Sequence, residues 1–438
     1  MRRWLLSCGG AWVVGLVTMS AAWAEAPKRA PSYQRDVAPI LQKHCQDCHR
    51  PGQVAPFSLL TFEQARKRAD DIVQLTGDRI MPPWPASTKE GGPFKSARVL
   101  SEAEIATLMA WSEADYPEGD LKDAPAPLDF KSDWKLGPPD LVLTAPEPIS
   151  LEATGPDEYA VFVIPSGLTE GKWISGLDFK PGNRRVVHHI LAAFDTNGRA
   201  RQKDEADPGP GYHAFGGFGI IPSGTLSGWA PGKMPQNLAP GIGRYVPAGA
   251  DVLLQVHYHK SGKPETDASS IGLYFARHPI DKQVRGTTVM PPRPSLFSRP
   301  KLLIPAGESN HEVTGTATVE YDAHVIAVLP HMHWLGKDFL LKATRPDGST
   351  VTLIKIDDWN FNWQGSYEFV SPVALPAGTR LDMLAHFDNS AQNSKNPNSP
   401  PKDVSWGEQT TDEMCIGFLQ LTRDDEKLEN LPPVRFRK

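Results

Sequence analysis

Val325-Ile-Ala-Val-Leu-Pro-His331-Met332-His333-Trp334-Leu335-Gly336 is the stretch that decides how the rest of the chain is read. The apolar run Val325–Leu329 has the character of a β-strand, and two histidines one residue apart close it. Alternate side chains of a strand share a face, so His331 and His333 point the same way and Met332 points away. Two imidazoles on one face can hold one metal ion, with zinc, copper or iron all open at this point.

Strand texture extends outward from this motif. Downstream and upstream of it, Ala317 to Tyr321, Phe339 to Ala343, Val351 to Ile356, Leu381 to Phe387 and Met414 to Leu421 form a β block that starts near Leu302. An earlier block contains Tyr159 to Ile164, Val186 to Phe194, Val252 to His259 and Ile271 to Phe275. The 42 prolines and 37 glycines punctuate these runs as turns, which is the pattern of β-sandwiches. Residues 208–249 are rich in Gly and Pro and read as a long ordered loop system. A chain of 438 residues can hold several domains.

The formal charge is −5, with no basic block or stripe, which argues against a nucleic-acid partner. Arg2 and Arg3, the apolar stretch Ala11 to Ala21 and Ala22-Trp23-Ala24 form a secretory signal over residues 1–24. No later segment approaches the roughly 20 apolar residues of a membrane span. The expectation is an exported protein, periplasmic or secreted. Cys8 would leave with the signal, so Cys45, Cys48 and Cys415 remain, too few for a disulfide framework.

Cys45-Gln-Asp-Cys48-His49 is the c-type haem attachment pattern: two thiols for the haem vinyls and a histidine for the iron. A second CxxC that would complete a zinc site is missing. Tyr33 to His44 reads as a helix leading into the motif, and Leu100 to Trp111 as one opened by a Ser101 capping box. In Arg79-Ile80-Met81-Pro82-Pro83-Trp84 the prolines enforce an irregular loop, and Met81 is the candidate sixth iron ligand. This order resembles class I cytochromes c over roughly residues 30–117, and residues 118–138 read as a linker.

The other histidines cluster. His257 and His259 share a strand face, whereas His188 and His189 are adjacent, so a common metal needs a bulge or strand end there. Either of His257 and His259 could complete a three-histidine site with that pair. The HxH motif needs a third ligand, and Met414 in Asp412-Glu-Met-Cys415 is a candidate, although methionine is ordinarily core filler.

From about Pro139 to Asp424 the chain resembles the copper type II, ascorbate-dependent monooxygenases, the family of peptidylglycine α-hydroxylating monooxygenase and dopamine β-monooxygenase. The matching residues come in the family's order: Val187-His188-His189, Trp229-Ala230, Leu254-Gln-Val-His257-Tyr258, His331-Met-His333 with Leu335-Gly336-Lys337, and Asp412-Glu-Met414-Cys415. The resemblance implies two copper ions. His188, His189 and His257 would hold the electron-transfer copper, and His331, His333 and Met414 the oxygen-binding, catalytic copper. His259 falls outside the motif. Where the peptide-processing members place an arginine, an asparagine and a tyrosine against substrate, this chain has Leu329, Ile416 and Phe418. The resemblance thus implies a more apolar site. Cys415 keeps its place, but its usual disulfide partner position holds His386.

The expected architecture is multidomain. An N-terminal all-α cytochrome c-like haem domain (25–117) and the linker (118–138) precede two all-β, jelly-roll-like sandwich copper domains (139–293 and 294–438). The expected activity is hydroxylation of a C–H bond of a small, apolar or aromatic substrate with O2. Electrons would come through covalent haem c from an external donor, ascorbate or a redox protein. Two rival readings are a copper-haem electron-transfer or copper-binding protein without oxygenase turnover, and a zinc hydrolase, the latter weakened by the missing HExxH.

Overall fold

All eight residues of Asp251–Tyr258 are buried, as expected of a strand paired on both edges and covered on both faces. A computed structural model of the chain describes residues 29–130, 134–231, 233–293, 301–407 and 409–428. The expected signal over residues 1–24, with Cys8, lies outside them. Asp251–Tyr258 pairs antiparallel with Glu158–Pro165 on one side and Val187–Asp195 on the other. Tyr212–His213 and Gly224–Trp229 complete this five-stranded sheet. A second five-stranded sheet, with Lys172–Lys180 and Ser270–Phe275 at its middle, packs against it. Phe162, Ile164, Ile174, Ile190, Val252, Leu254 and Ile271 fill the space between them.

The second sandwich has a four-stranded sheet in the order Arg285–Val289, Cys415–Arg423, Ala323–Met332, Tyr367–Leu375. Its five-stranded partner includes Gly336–Thr344 flanked by Thr350–Ile356 and Arg380–Phe387. Val325, Phe339, Leu341, Leu353, Ile354 and Leu419 lie in the common core. The chain passes from one sandwich to the other between Lys282–Gln283, which pairs with Ile242–Val246, and Arg285–Val289, which pairs with Cys415–Arg423.

The expectation of an all-α N-terminal domain is overturned. The described chain is mostly β, and its five α-helices are short, the longest being the twelve residues Glu102–Glu113. Capping boxes do form as read, at Ser101 with Glu104, and also at Thr61 with Gln64. Between the helices, however, Ala86–Gly91 becomes the outermost strand of the second sandwich, antiparallel to Thr350–Ile356. The following residues stay with that sandwich. Phe94 bridges to Phe369, and the Lys95 N–H donates to the Glu368 carbonyl at 2.7 Å. Trp84 and Phe94 pack on Tyr367, with ring centroids 5.1 and 5.3 Å away.

The cause is backbone hydrogen bonding. The stretch between Pro82 and Pro93 cannot be helical throughout, and its N–H and C=O groups need partners. The open edge of Thr350–Ile356 supplies them. Gly91 makes the approach possible: at φ +83° a Cβ there would lie 3.1 Å from Ile354 Cα and from the Leu353 carbonyl oxygen.

Candidate metal centres in a shared cleft

His189 and His257 sit directly opposite each other on neighbouring strands. One step further the register slips, with Tyr258 opposite Val187. His188 is therefore the extra residue of a β-bulge, which turns its side chain to the same face as its neighbour. The Nδ1 atoms of His188, His189 and His257 consequently lie 3.2, 3.3 and 3.4 Å from one another. Three nitrogens in a triangle cannot all be matched donor to acceptor, so at least two alike must face each other unless a cation stands between them. With metal–nitrogen bonds of about 2.0 Å, these separations subtend about 106–116° at a common ion, between tetrahedral and trigonal values.

The proton inventory agrees. His257 Nε2 is 2.8 Å from Asp157 Oδ2, which places the ring proton on Nε2 and leaves the lone pair on Nδ1. The other Asp157 oxygen accepts from His259 Nδ1 at 2.9 Å. Burial opposes ionisation of Asp157, yet the hydrogen bonds from His257 and His259 hold its carboxyl well below the usual range. Burial, with His257 next in weight, pushes His188 down to about 3, and His189 is also far below its ordinary value. These imidazoles are therefore neutral, the form that binds metals. His259 lies outside the triangle, and its side chain is exposed.

In the second sandwich, Leu329, His331 and His333 line one strand's cleft-facing side. Phe418 stands opposite Leu329, and Ile416 opposite His331. His331 Nδ1 donates to Gln364 Oε1, and His333 Nδ1 donates to the Asp412 carbonyl at 3.1 Å. Both rings are thereby left with Nε2 as the free donor atom. The two rings are 5.2 Å apart between centroids. Met414 lines the same cleft. Burial lowers both histidines, His333 to about 3.

Glu413 ties this group together. It is 0% exposed and accepts the N–H groups of His333 (2.8 Å), Leu335 (2.7 Å) and Met414 (3.1 Å). Burial raises its carboxyl to about 8, while the three donors pull the other way. The Trp359 indole N–H holds the His333 carbonyl at 3.0 Å. One buried carboxyl group thus fixes the backbone of both the HxH turn and the methionine. The buried Cys415 thiol turns into the core with Met383 Sδ at 3.8 Å, and His386 instead pairs with Asp338 at 2.7 Å.

The two histidine groups open onto one cleft of about 240 Å³ between the sandwiches. Its apolar wall consists of Leu191, Trp229, Leu329, Phe361, Ile416 and Phe418. Phe361 touches both groups: its ring lies 5.3 Å from that of His188 and 6.0 Å from that of His333.

In the N-terminal segment, Cys45 caps the helix Ala38–His44, and Cys45 and Cys48 are free, half-buried thiols. His49 Nδ1 donates to the Phe57 carbonyl at 3.2 Å, which leaves Nε2 available. The donor set therefore fits covalent haem. The Met81 amide bonds to the Leu75 carbonyl at 3.0 Å. No hydrogen bond or ring contact among the described residues ties Met81 to His49. Asp157, Phe361, Gln364 and Glu413 escaped sequence reading because each acts on a histidine remote along the chain. Only Glu413, inside the Asp412–Cys415 motif, had a local signal.

Residues 295–427 match the family described as copper type II ascorbate-dependent monooxygenase, C-terminal domain. The human putative DBH-like monooxygenase protein 2 is 23% identical over 249 residues, covering 54% of this chain and 47% of that protein. The chain thus spans about half the length of that curated relative. Among solved structures, the infectious bursal disease virus VP2 subviral particle has TM-score 0.19 at 10% identity, over 68% of this chain and 73% of that one. A Paenibacillus xanthan lyase has TM-score 0.17 at 11% identity, over 69% and 28%. Likeness this slight carries no argument. Both sequence matches are to copper-type monooxygenases, and the family match falls on the second sandwich, which carries His331, His333 and Met414. No helix among the described residues is long and apolar enough to cross a membrane.

Proposed function

We propose that this protein is an exported, haem-bearing copper monooxygenase that hydroxylates a C–H bond of a small, largely apolar organic molecule. The observation that carries this reading is the single cleft of about 240 Å³ walled by both histidine groups and Met414. His188, His189 and His257 would hold an electron-transfer copper through Nδ1. His331, His333 and Met414 would hold the oxygen-binding copper, through Nε2 of the two histidines and the methionine thioether, a soft ligand suited to Cu(I). Cys45, Cys48 and His49 would carry covalent haem, with Met81 as the second axial ligand. When bound, copper would supply the one-electron chemistry that activates O2, and haem would bring in electrons from ascorbate or a redox protein.

The chain's own residues do the rest. Asp157, Gln364 and the Asp412 carbonyl preset the tautomers of His257, His331 and His333, so these three rings meet a metal without rearranging. Glu413 holds the HxH turn and Met414 in one rigid frame. Leu329, Phe361, Ile416 and Phe418 exclude water from the space where substrate would lie. The first and second sandwiches would divide the labour between electron transfer and oxygen chemistry, as the resemblance implies.

Turnover under isotopically labelled O2, with copper-loaded protein, reductant and a panel of small apolar and aromatic compounds, tests the reading. The expected result is one labelled oxygen atom in an organic product. Oxidation of the reduced protein with no label in any product would assign it to electron transfer instead.

A further inference from the structure

Lys233 also lines the cleft, opposite in character to its apolar wall. Its ammonium donates to the Gly228 carbonyl and to Ser227 Oγ at 3.2 Å. An ammonium has three donors, so one is left over. Among the described residues no carboxylate lies within ion-pair distance of it. Glu368, in the small cavity behind that Lys233 also lines, is taken by Lys95. Arg244 lines the same small cavity and donates to Gln420 Oε1 at 2.8 Å, adding a second positive charge. Glu368 is therefore a shared and more distant counter-charge for Lys233, and an anion entering the cleft would offset the cost of sheltering this ammonium without a direct ion pair.

A second polar group lies at the cleft wall. Gln255 is 1% exposed, and its amide N–H groups donate to the Ala214 and Gly217 carbonyls at 3.3 and 2.7 Å. Those two acceptors fix the orientation of the amide and leave Oε1 buried without a partner. The cleft therefore presents one cationic donor with no direct ion pair beside a largely apolar wall, and an unpaired acceptor lies buried just behind that wall. This pattern suits a ligand with an apolar body and a charged end.

We propose that Lys233 anchors a carboxylate of the substrate, whose apolar or aromatic body lies against Trp229, Leu329, Ile416 and Phe418. The substrate class is then an apolar carboxylic acid. The anchor comes from the first sandwich, whereas the apolar residues Leu329, Ile416 and Phe418 come from the second, so a bound acid spans the two. This inference rests on reading the cleft as the substrate site.

The test is equilibrium binding to the full-length, copper-loaded protein, with 3-phenylpropanoate and its neutral amide as probes. The acid is expected to bind about 10- to 100-fold more tightly than the amide, the range for a hydrogen bond to a charged partner. Lys233→Arg should keep that preference and Lys233→Met should abolish it. Equal binding of acid and amide to the unaltered protein overturns the proposal without any variant. A preference that survives in Lys233→Met overturns it as well, since the carboxylate is then held elsewhere, for instance by copper. Binding is read without turnover, so the two readings fail separately. Acid preference with no labelled oxygen in any compound of the panel sinks the oxygenase reading alone, and oxygen insertion without acid preference sinks the anchor alone.

Discussion

The ring of Phe361 lies nearly parallel to that of His188, 5.3 Å away between centroids and inclined by 19°, although the two residues belong to different sandwiches. The opposite side of the relationship is an edge contact of the same ring with His333, at 87°. One buried phenyl group therefore separates the two histidine groups. Replacing it by leucine keeps most of the volume but removes its ring contacts with His188, His333 and Trp334. Phe361→Leu should lower stability by about 0.5–1.5 kcal/mol, the usual worth of an aromatic pair. Metal stoichiometry should be unaltered. Thermal unfolding and metal analysis on the same sample decide it, and an unchanged midpoint would show that the stacking contributes nothing.

Asp157→Asn tests the tautomer argument at the three-histidine group. An amide can present its NH2 to His257 and so favour the wrong ring proton. Metal affinity at that group should fall about 10- to 100-fold. Competition with a chelator measures it. His259→Ala, which removes only the exposed partner of Asp157, should have a much smaller effect. Equal losses in the two variants would mean that the carboxylate acts through charge alone.

Met414→Leu is close in volume and removes only the sulfur. If the thioether is a ligand, X-ray absorption of the Cu(I)-loaded protein should show a sulfur scatterer in the parent and none in the variant. The three-histidine group should stay loaded. A sulfur signal that persists would point to a different donor.

Glu104 links helix Glu102–Glu113 to the haem-motif segment, accepting from Lys43 at 2.9 Å and His44 at 3.0 Å as well as capping Ser101. Partial burial raises its pKa, but the hydrogen bonds from Ser101, Lys43 and His44 outweigh it and bring the carboxyl down from 4.5 to about 2. A depressed carboxylate contributes stability above its unfolded pKa and loses it as pH falls through the folded value. Wild-type protein should therefore lose stability between pH 4.5 and 2 through this group. Glu104→Gln should be less stable than wild type at neutral pH, and the gap should narrow across that window. A gap independent of pH would assign the effect to packing.

Gly91→Ala should detach the outermost strand of the second sandwich. At φ +83° a side chain is strained, and at 3.1 Å from Ile354 Cα a methyl group would push the neighbouring strand outward. The strain alone is worth about 1–3 kcal/mol. Hydrogen exchange should rise first at residues 86–95, and a uniform loss of protection would contradict the assignment.

Strand periodicity made much of this architecture legible. The alternation through Val325–His333 put two imidazoles on one face, and the cleft-facing row Leu329, His331, His333 follows from it directly. Adjacent histidines were harder, because a period of two sends them apart. Only the register slip opposite Tyr258 unites His188 with His189. Nothing in the sequence announces Asp157 beside His257, Gln364 beside His331 or Phe361 between the groups, since all three pairings depend on how loops and strands meet in space. The N-terminal segment misled for a related reason. Ala-Ser-Thr-Lys-Glu-Gly has little strand character of its own, and becomes a strand because an edge was waiting for it.

That edge has a practical consequence. Ala86–Gly91 covers the flank of Thr350–Ile356 and ends the sheet with Lys89 and Glu90, exposed charges that discourage another chain from adding on. Cutting away the haem-motif segment to ask whether it delivers electrons would also unmask a sticky flank of the second sandwich. Such a truncated protein is expected to self-associate, so lost turnover in it would report on solubility as much as on electron supply. Point substitution at Cys45 and Cys48, which leaves the covering strand in place, is the cleaner instrument.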